Sequence, residues 1–355
     1  MKMRNRKIGM IVLLAVLTVA IFSAGCTSQG TESSTSKTRT VVDMTGRTVE
    51  VPAEINRIAD QFPAHNTVVL LLGFADKIVA APKVWTINNY WFQKMVPSIK
   101  SAVAPFESST VNEEELMAAK PDLVFTSSLA PFEKLAEKGV PIIVLKTATF
   151  NDLKGYVRLT AEILGTEDAK VRAEKYCNYF DQNINMVKAA TADIPREKRV
   201  KVYYAASGPL NTEGNNTMVK EWIEIGGGFN VAAEGGIEGG FKDVSIEDVV
   251  TWNPDIIVVR DAPFKNTILN DKRWQETNAV QNGRVYISPK GVYTWCVRAP
   301  EEALNVLWVA KTFYPERFPN LDIEKETKYF YETFFGYKLS DDEVDLILHP
   351  EKQTW

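Results

Sequence analysis

Histidine and cysteine are nearly missing from this chain, with two of the first and three of the second in 355 residues. A zinc or manganese centre built from several imidazoles is therefore not available. No P-loop occurs, no glycine-rich dinucleotide fingerprint follows the first strand, and there is no Gly-x-Ser-x-Gly elbow. An excess of positive charge is missing too: the formal net charge is −4, which argues against nucleic acid as a partner.

What remains is 45% hydrophobic and 24% charged, the balance of a globular protein long enough for two domains. The first 25 residues read differently. Lys2, Arg4, Arg6 and Lys7 precede an apolar run from Ile8 to Phe22, and Ser23-Ala24-Gly25 follows. That run is short for a membrane span, which needs roughly 20 residues, and fits an export signal (1–25). Its removal takes four basic residues and moves the formal charge from −4 to −8. Residues 26–38, rich in Ser and Thr, read as a flexible tether. Of the two cysteines beyond Cys26, Cys177 lies on an apolar helical stripe, so two buried thiols are expected rather than a disulfide.

The organising stretch is Phe150–Ile194. From Glu167 to Ala190 it has neither Pro nor Gly, and apolar or small residues recur at helical spacing through Ala173, Cys177, Phe180, Ile184 and Val187. Gly165-Thr166 ends one helix and caps the next. Strand and helix patterns alternate on both sides, as in mainly parallel sheets with helices on their faces. The spacing predicts an N-terminal α/β lobe (39–150), a helical spine (151–195) and a C-terminal α/β lobe (196–355). Strands are predicted at Ser101–Ala104 among others, and a hairpin at Thr40–Val51.

One unit occurs twice. Asn112-Glu113-Glu114-Glu115 leads to Pro121-Asp122 and a buried strand, and Ser245-Ile246-Glu247-Asp248 leads to Pro254-Asp255 and another. Glu114 and Glu247 occupy the same slot. Either they complement helix dipoles, or they form matched acidic sockets for arginines of a symmetric partner. Ligand candidates lie in loops after strand ends, where open α/β sheets bind. They are His65, Trp85, Tyr90 and Trp91 in the first half, and Arg260, Tyr293, Trp295 and Arg298 in the second. Aromatic walls with one or two cations suit a large, flat or anionic ligand.

These features together resemble the lipoprotein substrate-binding components of ABC importers for iron complexes and cobalamin, the helical-backbone class of periplasmic binding proteins. The resemblance rests on Phe22-Ser23-Ala24-Gly25-Cys26, on Asp43 to Pro52, on both Glu…Pro-Asp units, and on Arg298-Ala299-Pro300-Glu301 with Trp308 to Lys311. It implies two Rossmann-like lobes joined by one long helix, with the ligand cleft between them. It also implies acylation of Cys26, a lipid-anchored extracytoplasmic monomer, and docking of Glu114 and Glu247 on the permease dimer that works with its ATPase. No catalytic residue, resident metal or cofactor is implied. The cargo it implies is an iron–siderophore-type chelate, with a corrinoid or haem as alternatives; few loop arginines weigh against a tri-anionic siderophore. An exported chelatase or metal-cluster enzyme on a similar scaffold is the remote alternative.

Overall fold

The computed structural model describes residues 38–107 and 110–355. The predicted export signal, Cys26 and the tether up to Lys37 lie outside the described residues.

The chain starts with a hairpin, Thr38–Val42 paired antiparallel with Thr48–Pro52. Asp43 shapes its turn: one carboxylate oxygen accepts from the Thr45 and Arg47 amides at 2.9 and 3.0 Å, and Gly46 takes φ +86°. The other oxygen accepts from Val144 N at 3.3 Å, which docks the hairpin on the edge of the first sheet.

Two four-stranded parallel sheets follow. The first runs Ile78–Ala80, Ile58–Asp60, Leu123–Thr126, Ile142–Val144 across the sheet; the second runs Phe229–Asn230, Lys201–Ala205, Ile256–Val259, Val285–Ile287. In chain order both read 2-1-3-4, so the duplicated sequence unit is also a duplicated topology. Its Pro-Asp pair has one job in both copies. The Asp122 carboxylate accepts from Asn56 N and Arg57 N (2.6 and 2.8 Å), and the Asp255 carboxylate accepts from Lys201 N at 3.0 Å. Each aspartate therefore clamps the start of the first strand of its own sheet. Lys120 and Asn253, one residue ahead of each Pro-Asp, both adopt positive φ (47° and 44°) and end the preceding helix.

Between the sheets lie Phe150–Leu164 and Glu167–Thr191, separated by Gly165 at φ +75° and by Thr166, whose side chain accepts from Ala169 N. The second helix, 25 residues and so about 37 Å long, is the predicted spine. Its buried stripe includes Ala173, Tyr176, Cys177, Phe180 and Val187. Tyr176 donates to Pro300 O and Asn183 to Ala303 O (3.1 and 2.8 Å), fastening it to the helix Glu302–Phe313 of the second half. One hydrophobic cluster runs from Ile58 and Leu123 through Tyr176 and Phe180 to Val202 and Ile256. The alternate strand positions, Ala59 and Val124 or Tyr203 and Ile257, turn outward into smaller clusters under the flanking helices. A helix held on both flanks by one core cannot bend without breaking its hydrogen bonds, so the lobes are held at a nearly fixed separation.

The predicted strand Ser101–Ala104 is corrected. Pro97–Ser101 is a 3-10 turn, and Val103 alone bridges to Ala80. Pro97 at the first turn position sets helical φ and delays the extended backbone. Cys177 and Cys296 are buried free thiols.

Candidate functional site

The carboxyl ends of the two sheets meet across a gap. Gln61 follows the Ile58–Asp60 strand and Pro82 follows Ile78–Ala80; opposite them, Arg260 and Lys290 follow Ile256–Val259 and Val285–Ile287. Trp85 of the first half meets Tyr293 of the second edge-on, ring centroids 6.2 Å apart, and the Lys290 ammonium lies 5.7 Å from the Trp85 ring. Asn89 donates to Val292 O at 3.1 Å, a further link across the gap. Beneath Trp85 lies a cavity of about 610 Å³ whose lining includes Gln61, Pro82, Lys83, Phe106 and Glu107. That size is in the usual range for small-molecule sites, and the strand-end position is where open α/β sheets bind ligands.

The sequence candidates divide. Trp85, Tyr293 and Arg260 are brought together here. Trp85 is 39% exposed, the only tryptophan of the candidate set with a face free for a ligand. Burial pushes the Tyr293 phenol up to about 12, partly offset by Arg260 and Arg298 nearby. Arg260 donates from Nε to Asp261 at 2.9 Å, and Lys290 reaches the other oxygen of the same carboxylate at 3.4 Å. Two cations share one anion, so this cluster carries one surplus positive charge; the residues lining the cavity itself all come from the first half, and Lys290 approaches it only through the Trp85 ring.

The other candidates are corrected. His65 is fully buried: Nδ1 bonds the Asp60 carboxylate and Nε2 the Thr160 hydroxyl, both at 2.8 Å, which leaves no ring nitrogen for a ligand. Trp91 and Trp295 are core residues, 1% and 0% exposed. Tyr90 stacks on Trp355 at 4.0 Å and is not among the residues that line the cavity. The Arg298 guanidinium is occupied by a bidentate pair with Glu213 (3.1 and 2.6 Å) and by Thr147 O at 3.1 Å. A loop position in sequence did not distinguish a side chain facing the gap from one turned into the core.

Sequence reasoning missed Lys83, Phe106, Glu107 and Lys290. Lys83 and Lys290 each stand a residue or two outside a predicted loop. Phe106–Glu107 belongs to a two-residue strand too short to show periodicity.

Glu114 and Glu247 are exposed second residues of the helices Glu113–Ala118 and Ile246–Trp252. Asn112 and Ser245 cap these helices by accepting from Glu115 N and Asp248 N at 3.1 and 3.0 Å. The third-position acids face inward to the loop, Glu115 toward Ala104 N (3.4 Å) and Asp248 back to Ser245 N (2.9 Å). Among the described residues neither Glu114 nor Glu247 has an ion pair, no group of three or more His, Cys, Asp and Glu side chains could hold a metal, and no helix is long and apolar enough to cross a membrane.

The model of a periplasmic binding protein family matches residues 61–291. The chain belongs to that family. It is a solute-binding protein of the extracytoplasmic kind, not an enzyme. Among its relatives is the molybdate-binding protein MolA of Haemophilus influenzae, 28% identical over 84% of this chain and 91% of that one. The structure of MolA with bound molybdate superposes with a TM-score of 0.77, covering 85% of this chain and 99% of MolA. The substrate-binding lipoprotein YvrC of Bacillus subtilis is 25% identical over 86% of this chain and 96% of its own. A vitamin B12-binding protein of Vibrio cholerae is 23% identical over 66% of this chain and 80% of its own.

Proposed function

We propose that this protein is the substrate-binding component of an ABC importer, and that its cargo is an iron–siderophore-type metal chelate gripped against Trp85. The observation that carries the cargo is the cavity of about 610 Å³ lined by Trp85, with the Lys290 ammonium of the other half 5.7 Å from that ring. A drug-sized ligand fills such a space, whereas a bare oxyanion occupies only a corner of it. In this reading Cys26, directly after the export signal, carries the lipid anchor, as the name of the relative YvrC also favours. A second reading, a small oxyanion, is favoured by the similarity to MolA. A third, a corrinoid, is favoured by the similarity to the vitamin B12-binding protein.

Trp85 is the natural reporter for the test, because a bound chelate would contact it or part it from Tyr293. Titration of the mature protein with ferric hydroxamates, haem, cobalamin and molybdate is expected to quench tryptophan fluorescence saturably with a ferric chelate. Trp85→Phe should abolish most of the signal. Saturation by molybdate alone, or by cobalamin alone, would transfer the assignment to the corresponding reading. No response to any of the four would sink the cargo assignment.

Docking on the permease is assigned to Glu114 and Glu247. Both are exposed and both stand at the same position of the duplicated unit, as matched sockets for arginines on a two-fold partner would. Glu114→Arg with Glu247→Arg is expected to leave cargo affinity within two-fold of wild type and to lower uptake in a reconstituted transporter at least ten-fold. Normal uptake by the double variant would remove the assignment.

A further inference from the structure

We propose that Lys290 is the charge-selecting residue of the cleft, so that the protein prefers cargo carrying net negative charge; this rests on the cleft reading above and narrows it.

Lys290 is held in place before any cargo arrives. Its amide donates to Ile347 O at 2.9 Å, and its carbonyl accepts from the Gln353 side chain at 2.8 Å. The next residue, Gly291, packs so tightly on Tyr331 that a Cβ there would lie 1.6 Å from the phenol oxygen. Val292 N donates to that same oxygen at 3.2 Å. The last helix, Asp341–Leu348, and the residues after it therefore fix the backbone of Lys290, and only its side chain is adjustable.

That side chain places its ammonium over the ring of Trp85, which lines the cavity, 5.7 Å from its centroid. Its single ionic partner among the described residues, Asp261, is already bound by Arg260 at the shorter distance of 2.9 Å against 3.4 Å. Of its three donors, at most one is used on that carboxylate. The two charges in the cavity lining, Lys83 and Glu107, are of opposite sign, so they add no net charge to set against the surplus at Lys290. An ammonium with donors to spare, held over the ring that a chelate would stack on, favours an anionic chelate over a cationic one of the same shape. At about 6 Å in a partly screened site, one unit charge changes affinity by roughly ten-fold or more.

The test uses two ferric tris-hydroxamates of matched size, one bearing a free carboxylate and the other a free ammonium. The wild-type mature protein is expected to bind the carboxylate form about ten-fold more tightly. Lys290→Gln should reduce that ratio to two-fold or less, Lys290→Glu should invert it, and Lys290→Arg should keep it. Melting temperatures unchanged from wild type would show that the variants are folded. If wild type and Lys290→Gln show the same ratio, charge selection by Lys290 is wrong while the cleft reading stands. If wild type binds neither complex, the chelate reading falls and this inference falls with it.

Discussion

Replacing Arg298 by alanine is expected to lower folding stability by about 3–5 kcal/mol, the usual cost of stripping one partner from a buried ion pair. Glu213, 1% exposed in the intact protein, would be left with no cation. The loss reaches further than the pair. The Arg298 side chain also donates to Thr147 O, in the segment that leaves the first sheet, while its backbone carbonyl accepts from Tyr156 and its amide donates to Glu302. One residue thus ties together the exit of the first half, the spine pair and the start of the Glu302–Phe313 helix. It does so from a left-handed backbone conformation, φ 53°. Denaturant unfolding of Arg298→Met, Glu213→Leu and the double variant should give a double variant much less impaired than the sum of the singles, because two apolar side chains leave no orphaned charge. Strict additivity would mean that the pair contributes little and that Arg298 is available to cargo after all.

The same residue shows what could be read in advance. Arg298 stood out in the sequence as a loop cation beside aromatics, and its paired state depends on Glu213, 85 positions away, which no local pattern connects to it. His65 failed for the same reason: its partners are Asp60, nearby in sequence, and Thr160 on a helix 95 residues later. The spine, by contrast, was legible because helical periodicity, a capping threonine and a stop glycine are all local signals. The duplicated unit was legible because its helix, proline and aspartate lie within a dozen residues, although the strand that each aspartate clamps became visible only in the fold. Trp85 and Tyr293 were singled out as aromatics in loops after strand ends, whereas Lys290 stands just outside such a loop, and the tail that pins its backbone is visible only in the fold. Architecture follows from local periodicity; the cleft follows from pairings between distant segments.

Glu301 offers a pH-dependent test of that pairing. It is fully buried, one of its oxygens accepts from Tyr293 N at 2.9 Å, and the other has no donor. Burial raises its carboxyl to about 7, against a partial offset led by the Tyr293 amide. The unfolded chain ionises near 4.5, so between pH 4.5 and about 7 the folded protein holds a proton that the unfolded chain has released. Stability therefore falls as pH rises through that window, by up to ~3 kcal/mol, and the full benefit of the neutral acid is present only below pH 4.5. Glutamine keeps an oxygen for Tyr293 N and removes the titration. Glu301→Gln should match wild type near pH 4.5, exceed it at pH 8 by about 1–3 kcal/mol, and raise the melting temperature there by several degrees. Because Glu301 holds the backbone of Tyr293, and Tyr293 meets Trp85, the wild-type tryptophan emission should also shift between pH 5 and 8 while that of Glu301→Gln stays constant. A variant less stable than wild type at pH 8 would mean that the ionised carboxylate is favoured in the fold, and that its field rather than its shape positions Tyr293 at the cleft.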